Sequence, residues 1–159
     1  MSRVGILALD PGSTSGVDCG VWSLSGSVGD ALLGYRGEVS ELRGTLDDQA
    51  QIVARMWVRL CESNPELRCY LVIESFQLGP TRHVLQEHVL DPIRLSYLTI
   101  GYLRGAGVRI EVMWQTPAAA KSHATDARLR EWGAWVRGSD HKRDARRHAI
   151  TLRNRLASR

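Results

Sequence analysis

The apolar positions of the chain change period as it proceeds. Residues 4–9 predict a buried strand, with Ile6-Leu7-Ala8-Leu9 running unbroken to Asp10 and Pro11-Gly12 turning the chain at once. Residues 17–24 predict a second strand with Gly20 inside it, and Ser25-Gly26-Ser27-Val28-Gly29-Asp30 reads as a turn. Residues 31–39 predict a third strand, with Leu33, Tyr35, Gly37 and Val39 on one face. Tight turns join antiparallel neighbours, so these three strands should form a meander.

The period then lengthens. Leu46, Ala50, Val53, Trp57 and Leu60 form one apolar stripe of a helix from Thr45 to about Ser63, capped by Thr45 and stopped by Asn64-Pro65. Trp57 belongs to that core stripe. Arg68 to Glu74 predicts a strand whose Leu71-Val72-Ile73 run suits burial on both faces. A strand, a long helix and a further strand make a crossover, so this strand should lie parallel to the first. Asp10 and Glu74 would then both stand at carboxyl ends of parallel strands, where sites of open α/β sheets form. The plainer alternative makes Glu74 an exposed acid paired with an arginine.

Beyond the Gly79-Pro80 break, Val84, Leu85, His88 and Val89 suggest a short helix. Asp91-Pro92 reads as a cap followed by a first-turn proline, and Ile93, Tyr97, Ile100 and Leu103 carry a helix to about Arg104. Val108 to Trp114 alternates as a last strand, and Thr116-Pro117 opens a helical turn ending at Lys121. Thr125 to Trp135 is mixed, with Leu129, Trp132 and Trp135 placed over the sheet edge. Gly138-Ser139-Asp140 starts the final helix, whose Ala145, Ala149, Leu152 and Leu156 face the core. His141, Asp144 and His148 line an adjacent face. The order β-β-β-α-β-α-β-α predicts an α/β fold. Its mixed five-stranded sheet has three antiparallel strands and then two parallel ones, with flanking helices, in a single domain over 1–159.

Composition narrows the partners. With 159 residues and 43% hydrophobic content the chain can bury a core without disulfide or metal staples. No apolar run approaches the roughly 18 residues that span a bilayer, and the N-terminus lacks a signal peptide's long apolar region. A cytoplasmic protein is expected. Cys19, Cys61 and Cys69 form no Cys-x-x-Cys pair and suit a reducing compartment. Residues 121–159 hold 11 of the 21 Lys and Arg but 4 of the 17 Asp and Glu, a local charge of +7 against −3 elsewhere. Such a segment favours a polyanion, with nucleic acid foremost, over a merely solvated helix face.

Three acids complete the picture: Asp10, Glu74 and Asp144. Clustered carboxylates raise one another's pKa, and a divalent cation removes that cost. Oxygen donors, with or without an imidazole, suit magnesium or manganese better than zinc. Two such ions about 3.5–4 Å apart can activate water and stabilise the leaving oxygen of a phosphodiester.

The order of elements and the acids together resemble the RNase H-like superfamily, and more narrowly the RuvC-type Holliday junction resolvases. Asp10-Pro11-Gly12 with Gly16 resembles their first motif, Ile73-Glu74 the second, Thr116-Pro117 with Lys121 the third, and His141-Lys142-Arg143-Asp144-Ala145 the last. The phage-encoded branch is similar through Asp144-Ala145 followed by His148-Ala149. The resemblance spans nearly the whole chain. It implies a magnesium-dependent endonuclease, with manganese as a substitute, that cuts four-way DNA junctions as a homodimer. For a phage-encoded protein the compartment would be the host cytoplasm.

Asp10, Glu74 and Asp144 would bind metal. His141 would join them at a place that is acid or histidine in the family; the neighbouring Asp140 competes for that place or, in the favoured reading, caps the helix. Lys121 would approach the scissile phosphate. Phe76 is divided between a junction wedge and the core, and His148 between a phosphate contact and helix packing. No nucleotide cofactor is implied. The Asp10–Thr14 stretch also fits the phosphate loop of actin-like and sugar-kinase proteins, but 159 residues leave no room for their second domain. A YqgF-like nuclease acting on RNA or single strands shares the same chemistry. A binding module with a dead site is disfavoured by the intact acids.

Overall fold

β1 (Arg3–Asp10), β2 (Ser15–Ser23), β3 (Arg36–Leu42), β4 (Arg68–Glu74) and β5 (Val112–Gln115) form one mixed sheet in the order β3-β2-β1-β4-β5. The pairs β1–β2 and β2–β3 are antiparallel, while β1–β4 and β4–β5 are parallel, as the apolar pattern predicts. This computed structural model describes residues 2–76 and 90–159. The helix expected over Val84, Leu85, His88 and Val89 lies outside them.

Alternate residues of β1 serve two cores, which is why its apolar run is continuous. Val4, Ile6 and Ala8 join Trp22, Val72, Ala149, Ile150 and Leu152 on one face. Leu7 and Leu9 join Val17, Val53, Trp57, Ile73, Ile100 and Leu103 on the other. The second face is covered by α2 (Leu46–Glu62) and α3 (Asp91–Gly105), and the first chiefly by α6 (Asp140–Ala157). No described helix is long and apolar enough to cross a membrane.

Five elements depart from the sequence reading. The expected strand over residues 31–39 is split into α1 (Val28–Leu33) and β3. Ser27 and Asp30 form a reciprocal capping box that starts a helix inside the expected turn, an arrangement worth about 1 kcal/mol. Leu33, which alternation had placed on a strand face, is 90% exposed. The last strand begins only at Val112, because the segment from Val108 does not pair with β4 before that point. Leu90, not Asp91, is the residue before α3, and its apolar side chain makes no cap hydrogen bond. Ser139 caps α6 by accepting from the Lys142 N–H, so Asp140 is the first helical residue and not the cap. The mixed stretch after Thr125 contains α5 (Asp126–Glu131), which buries Leu129, and Trp132 and Trp135 pack against the same core.

α6 is tied to the sheet by charge as well as by apolar contact. Arg146 Nε lies 2.8 Å from Asp18 Oδ2, both groups being buried, though the pair is not aligned as a hydrogen bond. The guanidinium lies 4.4 Å from the Tyr35 ring centre and 5.0 Å from that of Trp22. The Tyr35 hydroxyl donates to Asp18 at 2.7 Å. Burial pushes the Asp18 carboxyl up to about 6, against the pull of Arg146 and Tyr35. Arg146→Leu is expected to cost about 3–5 kcal/mol in urea unfolding, because it strands a buried carboxyl. Adding Asp18→Asn should recover part of that loss. A single variant as stable as the parent protein would show that the ion pair does not hold the helix.

Candidate active site

The carboxyl ends of β1 and β4 meet the first turns of α6 at one rim of the sheet. A cleft of about 360 Å³ opens there, bounded by the Asp10–Thr14 loop, Glu74, Phe76, Pro92, Asp140, His141 and Asp144. The three acids singled out in the sequence therefore come together from β1, β4 and α6. Asp140 is fully exposed and paired with Arg143, which lowers its pKa.

Each acid of the cleft already has a basic partner. His141 Nδ1 lies 2.8 Å from Asp10 Oδ2, and His148 Nε2 lies 2.8 Å from Glu74 Oε2. Lys121 Nζ, reaching in from α4 (Pro117–His123), lies 3.0 Å from Asp144 Oδ2, and Arg147 takes the other oxygen of Asp144. Arg147 is itself buried and also bonds the Ala124 carbonyl and Asp126, so Asp144 is fastened to the start of α5. These partners do not quench the site. Burial and the charge of Glu74 push the Asp10 carboxyl up to about 6, Asp144 adds to the rise, and His141 only partly offsets it. Burial pulls the Lys121 ammonium down, but its hydrogen bond and charge contact with Asp144 prevail and its pKa rises.

Two glycines and a glutamine shape the cleft. Gly138 holds φ +108°, a conformation open to glycine, at the entry to α6. Gly16 pairs with Asp10 and faces the first turn of that helix without a side chain between them. The buried Gln49 of α2 donates to the Ser13 carbonyl at 2.9 Å and so braces the loop after Asp10.

Among the described residues Glu74 pairs with His148 and not with an arginine, and the buried His148 is neither exposed to phosphate nor merely packed. Phe76 lies in the wall of the cleft and, among the described residues, in neither core cluster. Sequence reading missed Arg147 and Gln115, polar residues that periodicity treats as surface. The spacing of Arg147 from Asp144, three residues on one helix, was the available signal.

The donor set suits a hard divalent cation: three carboxylates whose mutual repulsion is visible at Asp10, with an imidazole beside them. No three of the described His, Cys, Asp and Glu side chains stand grouped as ligands for one ion. The carboxylates are turned to their basic partners, yet each can accept about four bonds and keeps lone pairs for a cation.

Comparison with solved structures finds the same fold in RuvC of Thermus thermophilus. A structure described as T. thermophilus RuvC in complex with Holliday junction substrate has a TM-score of 0.56 and 18% identity, over 93% of this chain and 91% of that one. A second T. thermophilus RuvC structure has a TM-score of 0.56 and 16% identity, over 93% and 92%. No protein-family model matches the chain, and no curated protein matches its sequence.

The raised Asp10 carboxyl has a consequence for stability. Its folded pKa near 6 exceeds the unfolded 3.8, so ionisation disfavours the folded state. The penalty is absent below pH 3.8, grows through the interval and is full above 6. Asp10→Asn should therefore stabilise the metal-free protein at pH 7.5 by on the order of 3 kcal/mol, with no gain below pH 3.8. Urea unfolding in chelator checks this, and an unchanged midpoint at pH 7.5 would refute it.

Proposed function

We propose that this chain is a divalent-metal-dependent endonuclease that hydrolyses phosphodiesters in branched DNA, four-way junctions foremost, during recombination or DNA processing. The observation that carries this reading is the convergence of Asp10, Glu74 and Asp144, from three separate elements, on one cleft beside a basic C-terminal segment. The fold shared with RuvC supports it.

Asp10, Glu74 and Asp144 would hold magnesium, or manganese in its place. His141 would complete the set through Nε2, since Asp10 occupies its Nδ1. The cation supplies Lewis acidity and lowers the pKa of a bound water. The chain's own groups do the remaining work. Lys121 brings positive charge to the mouth of the cleft, where a scissile phosphate would replace Asp144 as its partner. Arg128, Arg130 and Arg137, all exposed in the same basic quarter, would grip the backbone to either side. Arg147 keeps Asp144 aimed while Lys121 changes partner. The exposed apolar face of α3, with Tyr97, Leu98 and Tyr102, offers a second copy its seat in a homodimer.

The test is incubation with a synthetic four-way junction, a fork, a duplex and single strands, with and without magnesium, with the oligomer read by sedimentation. Metal-dependent paired cuts in the junction by a dimer are expected. Cutting confined to single strands or RNA would overturn the junction assignment. Asp10→Asn, Glu74→Gln and Asp144→Asn should each lower the single-turnover rate at least about 100-fold while junction binding persists. Retained turnover removes that residue from the set. Lys121→Ala should slow cutting at saturating DNA about 10-fold or more and leave the Kd within about threefold. An unchanged rate at saturation rejects its place at the phosphate.

A further inference from the structure

His148 has no exposed surface, so it cannot touch a nucleic acid. Both of its ring nitrogens are nevertheless engaged. Nε2 lies 2.8 Å from Glu74 Oε2, and Nδ1 lies 3.1 Å from the side chain of Gln115. Gln115 is buried too, and it sits opposite Glu74 in the β4–β5 register. Its backbone carbonyl accepts the Ser75 N–H at 2.7 Å. The backbone just past Glu74 and the carboxylate of Glu74 are therefore both tied to the same glutamine, one directly and one through the imidazole.

From this geometry we propose that His148, set by Gln115, is a positioning residue that aims the Glu74 carboxylate into the cleft. The assignment rests on the nuclease reading of the acids. Asp144 and His148 are four residues apart on α6 and so share a face of one rigid helix. One helix thus presents an acid of its own and grips the acid of β4, and the spacing between the two carboxylates follows from the helix. A glutamate at a strand end would otherwise sample many rotamers.

Nδ1 faces the side-chain oxygen Oε1 of Gln115. The Gln115 amide nitrogen is buried without a partner. Rotating that amide lets the nitrogen donate to Nδ1, which leaves Nε2–H to donate to the Glu74 carboxylate. An imidazole between a ligating carboxylate and a buried amide is the kind of outer support on which metal affinity depends, its loss typically costing 10- to 100-fold.

The experiment measures Mn2+ binding to the whole protein by the loss of the free-ion paramagnetic resonance signal. Junction affinity and the thermal midpoint are recorded alongside. Folded His148→Leu should bind Mn2+ about 10- to 100-fold more weakly with junction affinity unchanged. His148→Gln, which keeps an amide donor near the place of Nε2–H, should recover most of that loss. Gln115→Met, which frees the ring to turn, should fall between them. Folded His148→Leu with parental Mn2+ affinity overturns the proposal. If His148→Leu does not fold, parental affinity in Gln115→Met overturns it instead. Asp10→Asn separates the two readings. If it abolishes Mn2+ binding while both His148→Leu and Gln115→Met leave binding intact, only the positioning role falls. If the parent protein neither binds Mn2+ nor cuts DNA, the nuclease reading falls and the positioning role with it.

Discussion

At one point in the molecule two backbones come closer than any side chain would permit. A Cβ on residue 16 would stand 1.9 Å from the His141 carbonyl oxygen and 2.9 Å from the Lys142 nitrogen. Real Cβ atoms do not approach backbone so closely, so only glycine lets the first turn of α6 rest on the start of β2. Residue 16 is also the partner of Asp10 across the β1–β2 ladder. The same close approach therefore brings His141 within 2.8 Å of Asp10 and, one turn along, Asp144 into the same cleft. Moving that helix end outward by the width of a methyl group would separate β1 and α6 where the cleft needs them together.

What makes such a docking stable is the way α6 handles charge. Its buried residues include Asp144, Arg146, Arg147, His148 and Arg153. Buried charge is costly unless paired. Arg146 meets Asp18, Arg147 meets Asp144 and Asp126, His148 meets Glu74, and Arg153 donates to the carbonyls of Ser23, Ser25 and Gly26. The partners lie on β2, β4, the β2–α1 turn and α5, so the helix is fixed from several directions. Apolar packing alone would tolerate small slides along the sheet. Directed polar contacts to four places do not.

The cleft shows the cost of this arrangement. Three carboxylates share a small volume, and the bases around them leave Asp10 still protonated more readily than an ordinary aspartate. A fold held by matched charges elsewhere keeps an unmatched negative demand at one rim. Perturbed carboxylates of this kind cluster at functional sites.

The chain's alternation of periods determined most of the architecture by itself. The run ending at Asp10, the stripe through Trp57, the run ending at Glu74 and the Ala145-Ala149-Leu152 stripe each dictate an element, because burial of apolar side chains has a fixed geometric period in strand and helix. Asp10 and Glu74 could be picked out for the same reason, each standing where an apolar run stops, and Asp144 by its place on the face beside the last apolar stripe. Local chemistry was misjudged where two signals competed. The Ser27–Asp30 capping box won over alternation, and Ser139 took the cap from Asp140.

Tertiary structure alone decided the rest. The burial of Arg146, Arg147 and His148, the pairing of Gln115 with His148, and the need for glycine at 16 all depend on residues far away in the chain. A polar side chain reads as surface until its partner is known, and a glycine reads as a flexible turn until another backbone is found against it.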